Sequence, residues 1–292
     1  MNIAIIGANG YIGNNLIQRL LDETDHNIVA LSRSAQKIPL ENTRLTKYNV
    51  SIFDNKLSNY LKDIDVVYYL VHMMAQSQID FAEAEAKAGE AFNKAMESSR
   101  AKRIIYLGGL GRDDDNLSKH LASRHMTGAI LRKSTAQVIE FRASMIIGKG
   151  SISYDIIVNL VSKLPLLTIP RWSETLSQPI GLSDAISYLV SAIGVRSTKD
   201  IIIEIGGPEK ISYEEIMRRY AKGRGMKRYF VRIPIIPIAV SAWWLNLFTP
   251  RNEAKVGRAM VESLANQMVV TDTVSERLFP RIHPTIIEDN FV

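Results

Sequence analysis

The chain contains no cysteine, which excludes disulfides, thiolate-held iron–sulfur clusters, Cys-containing zinc sites and a cysteine nucleophile. A reducing compartment fits that composition without following from it. Nor is there a strong excess of charge: 36 Lys and Arg against 30 Asp and Glu leave +6. That balance favours anions such as nucleotide phosphates and does not single out a polynucleotide, so no nucleic-acid partner is expected. No basic leader or small-residue cleavage site stands before the opening MNIAIIGANG, and the sequence predicts a cytoplasmic protein. Among five histidines the one close pair, His120 and His125, is five residues apart, which on a helix diverges by roughly 140°. No metal site is expected. A GxSxG nucleophile elbow is absent as well, which removes the common serine-hydrolase reading.

What is present is a globular composition, with 46% hydrophobic and 23% charged residues over 292. At ~150 residues per domain this length makes about two domains, or one with a large appendage. Asn2 to Ile6 is a short apolar run ending at Gly7, the pattern of a strand buried on both faces of a parallel sheet. The turn Gly7-Ala8-Asn9-Gly10-Tyr11-Ile12-Gly13 follows, and then a predicted helix over Asn14 to Asp22 with Leu16, Ile17, Leu20 and Leu21 at helical spacing. Strand, GxxGxxG turn and helix together predict a dinucleotide site. One glycine supplies a backbone angle that a Cβ forbids, one admits the diphosphate to the main chain, and one permits helix–strand contact. The helix start adds unpaired N–H groups.

A second strand, Asn27 to Leu31, ends in Ser32-Arg33, where an NAD site carries a carboxylate for the ribose hydroxyls. The acid is missing. A hydroxyl beside a permanent guanidinium suits the extra phosphate of NADP, with NAD kept as the alternative and a merely solvated Arg33 as the bland reading.

Further strand-like runs at Arg44 to Val50, Asp65 to Val71, Arg103 to Leu107 and Gln137 to Ile147 alternate with helical stretches, including an Ala- and Glu-rich crossover helix over Asp80 to Arg100. This predicts an α/β fold, a Rossmann-type doubly wound parallel sheet with right-handed crossovers. The strand ends at Asn49-Val50, Leu70-Val71-His72 and Leu107-Gly108-Gly109 are then expected to border the crevice by position.

Taken with GANGYIG, the stretches VVYYLVHMM, RIIYLGGLG, HLASRHMTGAILRKS, FRASMIIGKGS, PRWSETLSQPIGLSDAISYLV and EIGGPEKISYEEIMRRYA resemble the atypical short-chain dehydrogenase/reductases. More narrowly, they are similar to the bacterial NAD(P)-binding, NmrA-like group, also described as sugar-nucleotide epimerase-like. The resemblance runs from Met1 to about Leu278. It implies a Rossmann domain over residues 1–150, with 179–205 returning to it, and a smaller substrate region formed by 151–178 and 206–292.

Active members of that superfamily use a Tyr-x-x-x-Lys pair with a nearby Ser or Thr. Here the corresponding stretch is Ser118-Lys119-His120-Leu121-Ala122-Ser123-Arg124, so the resemblance places His120 and Arg124 at the pair's positions, four apart on one helical face. Arg124 holds charge or ribose hydroxyls but lends no proton. His120 is the expected general acid, with Ser118 and Tyr154 as fallbacks and a helix-face histidine as the bland reading.

Beyond residue 150 the chain offers a capping box at Ser212 to Glu215, starting a helix to about Gly223. Seven cations between Arg218 and Arg232 read as a solvated face. Ile233 to Pro250 is uncharged but is interrupted by Pro234 and Pro237, which argues for a buried or cleft-covering helix with Trp243 and Trp244. Shallow contact with a membrane interface is the alternative, not a span. Two functions fit these residues: an NADP-dependent oxidoreductase or epimerase-like enzyme on a small or lipophilic carbonyl, and a non-catalytic NADP(H)-binding sensor or assembly protein. Substrate and oligomeric state are not legible.

Overall fold

The computed structural model describes residues 1–73, 80–112, 116–232 and 262–291. Among the described residues the strands, in chain order, are β1 (Asn2–Ile6), β2 (Asn27–Ser32), β3 (Leu45–Asn49), β4 (Val66–Tyr69), β5 (Arg103–Gly109), β6 (Gln137–Ala143), β7 (Ile146–Ile147), β8 (Leu166–Ile169), β9 (Leu176–Ser177), β10 (Ile180–Gly181), β11 (Ile201–Ile205), β12 (Ile211–Ser212) and β13 (Tyr229–Arg232). The helices are α1 (Tyr11–Glu23), α2 (Leu57–Leu61), α3 (Phe81–Met96), α4 (Lys119–Leu131), α5 (Ile152–Lys163), α6 (Leu182–Ser191) and α7 (Tyr213–Gly223).

Seven strands form one sheet in the order β11-β6-β5-β4-β1-β2-β3, and every pairing in it is parallel. The chain order reverses between β1 and β4, which makes the crevice beyond their C-terminal ends the switch point of a Rossmann-like sheet.

Alternation along the strands builds two cores. Ile3, Ile5, Tyr68, Ile105 and Phe141 face one side, against Leu16 and Leu20 of α1 and Leu189 of α6. Ala4, Ile6, Tyr69, Ile104 and Tyr106 face the other, against Phe92 and Met96 of α3 and Leu131 of α4. Both faces are therefore dry, as the near-continuous apolar strands require. Two polar tips in these cores find backbone partners: Tyr68 donates to Leu189 O at 2.9 Å and Tyr106 to Arg124 O at 2.9 Å.

After β6 the chain breaks at Ser144-Met145, so the run expected over Gln137 to Ile147 is two strands rather than one. Ser144 Oγ donates to Gln178 O at 2.7 Å there, and β7 leaves the sheet to pair with β10. The helix α6 then packs on α1, and β11 pairs with β6. A third core holds Tyr154 and Val161 of α5 with Ile216 and Tyr220 of α7.

Several boundaries moved. The first helix begins at Tyr11, not Asn14, because Gly10 is already its N-cap. The crossover helix ends at Met96 rather than Arg100. The helix expected over Leu182 to Val195 ends at Ser191 and passes into a 3₁₀ turn. The capping box has its forward bond, Glu215 N–H to Ser212 Oγ at 3.2 Å. Ile233 to Pro250, with Trp243 and Trp244, lies outside the described residues. Among the described residues no helix is long and apolar enough to cross a membrane.

Candidate functional site: the crevice at the strand ends

The glycine turn divides its tasks as its chemistry demands. Gly7 has φ +84°, and a Cβ there would stand 2.6 Å from Leu70 O, so only glycine is unstrained. A Cβ on Gly13 would meet Ala8 O at 2.6 Å, which lets α1 lie on the turn. At Gly10 the nearest atom to a Cβ is Gly7 O at 3.1 Å, a tight contact but a looser one than at Gly7 or Gly13. The turn is pinned by Gly7 N–H and Ala8 N–H to Leu31 O, at 3.0 and 3.3 Å. No side chain caps the N-terminus of α1, so its first amides keep their capacity for an anion.

Tyr11 is the first residue of α1. Its hydroxyl is buried without a hydrogen-bond partner and lies against the backbone of Gly148, with the ring beside Gly150. Burial, with Asp155 nearby, pushes that phenol up to about 12. Ile12 packs on the core.

At the end of β2, Asn9 Nδ2 donates to Ser34 Oγ at 2.9 Å and Ser34 N–H to Ser32 Oγ at 3.2 Å, which ties the glycine turn to the Ser32-Arg33-Ser34 corner. Arg33 is exposed and makes no ion pair among the described residues. Asn49 is engaged structurally: its Oδ1 accepts from Gln36 N–H at 3.1 Å, while Val50 is buried in the core. The side chains of these two residues therefore brace the crevice wall.

Across the switch point, the ends of β4 and β5 converge on Arg124. Its guanidinium donates to Val71 O at 3.3 Å, to Leu107 O, and to both oxygens of Glu85 at 3.4 Å. It also lies 4.9 Å from the Tyr106 ring centroid. Arg124 and Glu85 are both buried. An arginine sunk beside a buried carboxylate is held by that charge and by the strand-end carbonyls. Leu70 O is the atom that excludes a side chain at Gly7, Leu107 O is taken by Arg124, and a Cβ on Gly108 would meet Tyr106, Glu140 and Phe141.

His120 projects from the first turn of α4 towards His72 at the end of β4, and their Nε2 atoms are 3.2 Å apart. Its Nδ1 is 3.1 Å from Ser263 Oγ. Surrounding protein, His72 and Arg124 push His120 down to about 3, and crowding by protein with the Arg124 charge lowers His72 well below the ordinary imidazole value. Both rings are neutral near pH 7. Both ring nitrogens of His120 have polar neighbours, and burial disfavours a second proton on the ring.

Ser118 caps α4, accepting from Leu121 N–H at 3.2 Å. Tyr154 belongs to the third core, stacked on Phe291 at 6.2 Å and edge-on to Tyr220 at 6.0 Å.

Three residues escaped the sequence reading. Glu85 was legible in principle, because it shares the apolar stripe of α3 with Ala88, Phe92 and Met96, and a carboxylate on that stripe demands a partner. Ser263 and Asn266 carried no local signal. They arrive from the far end of the chain: Asn266 Oδ1 accepts from Ser118 N–H at 2.9 Å, and Asn266 Nδ2 donates to Asn116 O at 3.0 Å.

Residues 7–146 match the model of a family described as NAD(P)H-binding. Several solved structures share the whole architecture. A nucleoside-diphosphate-sugar epimerase from Staphylococcus aureus superposes with TM-score 0.77 at 15% identity, covering 99% of this chain and 98% of that one. A UDP-glucose 4-epimerase from Thermotoga maritima, solved with UDP-glucose, gives 0.74 at 11%, covering 100% and 96%. MoeE5, in complex with UDP-glucuronic acid and NAD, gives 0.73 at 16%, again over 100% and 96%. No curated protein sequence matches this chain. The NAD(P)H-binding match and the shared fold are consistent with the atypical short-chain dehydrogenase/reductase resemblance.

Proposed function

We propose that this chain is an NADP(H)-dependent oxidoreductase or epimerase-like enzyme acting on a small or lipophilic carbonyl or alcohol, in the cytoplasm. The observation that carries the reading is the start of α1, where an uncapped helix N-terminus opens behind a turn whose glycines cannot be replaced without a backbone clash at Gly7 and Gly13. Such a cradle takes a diphosphate. The amides of Tyr11 to Gly13 would hold the diphosphate, and Arg33, with the Ser32-Ser34 corner, the additional phosphate of NADP. When bound, the nicotinamide supplies hydride transfer. Leu70-Val71-His72 and Leu107-Gly108 would border its far half, with Arg124 fixing those strand ends from beneath rather than touching it.

Since structural neighbours at low identity bind UDP-sugars, sugar nucleotides belong in the substrate panel beside aldehydes and quinones. The test is NADPH oxidation against that panel. Turnover with one class supports the enzyme, and tight NADPH binding without turnover of any supports the second reading, a nucleotide-responsive sensor. That second reading is favoured by one contact: Asn266 fastens the C-terminal segment onto the loop before α4, so a change in the crevice is mechanically tied to that segment.

A further inference from the structure

We propose that the outward face of the β8–β13 pair, with the cations beside it, docks this protein on an anionic lipid bilayer at headgroup depth. The inference stands apart from the nucleotide reading above.

The cations between Arg218 and Arg232 divide by what holds them. Arg218 pairs with Glu214 at 2.7 Å, and Arg219 with Glu209, Glu215 and Glu288 at 2.8, 2.9 and 3.3 Å. Arg232 reaches Glu214 at 3.2 Å and Glu174 at 3.5 Å. Arg228 donates to Val161 O at 2.6 Å and Ser162 O at 3.0 Å, carbonyls in the last turn of α5. Lys222, Arg224 and Lys227 are exposed and have no carboxylate within ion-pair reach among the described residues. Arg228 ties the chain after α7 to the end of α5, which brings the equally exposed Lys163 to the same corner. The two stretches that meet there, 161–169 and 222–232, hold six Lys and Arg and no Asp or Glu.

The strands that start at this corner leave apolar side chains outside. β8 and β13 run parallel, with Leu166 opposite Tyr229 and Thr168 opposite Val231. Alternation sends Leu167, Ile169 and Phe230 to the third core. It turns the other set outward: Tyr229 is 69% exposed, Leu166 52% and Val231 46%.

Helix dipoles account for part of the arrangement. Lys163 and Lys222 lie in the last turns of α5 and α7, where a cation is favoured in any protein. Lys227 lies beyond both helices, and the dipoles say nothing of the exposed apolar side chains.

Apolar tips beside uncompensated cations select the partner. A headgroup boundary takes the Tyr229 ring at its own depth and Leu166 and Val231 just below, with lipid phosphates against the Lys heads and the Lys stems lying along the apolar surface. A second copy of this chain would bring the same cations face to face, with no acid in either stretch to meet them. A polynucleotide would satisfy the cations and stack on Tyr229, yet it gives Leu166 and Val231 nothing to enter.

The test is co-sedimentation of the full chain with vesicles of phosphatidylcholine alone and of phosphatidylcholine mixed equally with phosphatidylglycerol. Binding should require the anionic lipid and weaken at least about tenfold from low to high salt. Lys163→Glu with Lys227→Glu should reduce it at least about 30-fold. The same charge change at Lys102 and Lys133, exposed residues before β5 and after α4, should leave it within about threefold. Leu166→Ser with Tyr229→Ser should reduce it at least about fivefold while the salt dependence stays. If either double variant melts below the parent, Lys163→Ala with Lys227→Ala, and Tyr229→Thr alone, carry the same comparison. Failure to bind the mixed vesicles, equal binding to neutral ones, or binding that survives the substitutions overturns the proposal, the last because the contact then lies elsewhere in the chain. Self-association without lipid that Leu166→Ser with Tyr229→Ser abolishes, or preference for an oligonucleotide over the vesicles, gives the face to a different partner and overturns it as well.

Discussion

Arg124 Nη1 stands 3.4 Å from both carboxylate oxygens of Glu85, with the two side chains only 7% and 3% exposed. Removing one member of such a pair strands the other charge in the interior. Arg124→Met should therefore cost about 3–5 kcal/mol in denaturant unfolding, and adding Glu85→Leu should recover part of that loss. A single Arg124 variant that loses activity consequently reports on the fold before it reports on chemistry.

Acid should destabilise the protein through its paired imidazoles. His72 and His120 have folded values below 6.5, the first from crowding and the Arg124 charge, the second from burial, His72 and Arg124. The unfolded chain binds protons at those rings as pH falls through about 6.5, while the folded chain does not, so stability is held above that pH and lost below it. Glu85 opposes the lowering at His120 only in part. Unfolding midpoints followed from pH 7.5 to 5 should fall, and the His72→Gln, His120→Asn double variant should flatten that slope. An unchanged slope in the double variant contradicts the assignment.

The three glycines of the first turn should separate folding from binding. Gly7→Ala combines φ +84° with a Cβ 2.6 Å from Leu70 O and should lower the melting temperature by several degrees, from a cost of about 1–3 kcal/mol. Gly13→Ala should behave similarly through Ala8 O. Gly10 has the roomiest surroundings of the three, so Gly10→Ala should melt close to the parent.

Arg33 offers the test of cofactor choice. It is exposed and free of ion pairs among the described residues, so Arg33→Ala should leave stability within about 0.5 kcal/mol. The same change should weaken NADPH about 10- to 100-fold while moving NADH little, as the loss of a charge-assisted phosphate contact predicts. Arg33→Asp should move the preference towards NADH.

Fold and nucleotide cradle were legible because each rests on local sequence. Ile3, Ile5 and their alternating neighbours report a strand buried on both faces, and Gly7, Gly10 and Gly13 report a turn whose backbone meets Leu70 and Ala8. The polar cluster around His120 was not legible in the same way. His120 was identifiable by its place in the helix, but its neighbours are His72, forty-eight residues earlier, and Ser263, 143 residues later. The pairing of Arg124 with Glu85 was hidden for the same reason, since the two sit on different helices. Long-range pairing of polar groups leaves no period in the sequence, whereas burial and backbone strain do.

On the proposed reading, the uncapped start of α1 accepts the diphosphate of NADP(H). Calorimetric titration of NADPH into the parent and into Gly10→Val measures it directly. Saturable binding to the parent and a loss of at least about tenfold in the variant are expected, by obstruction of the backbone approach, with the melting of both proteins followed alongside because a Cβ at Gly10 meets Gly7 O at 3.1 Å. Equal affinity in the two proteins, or no heat of binding in the parent, would contradict it.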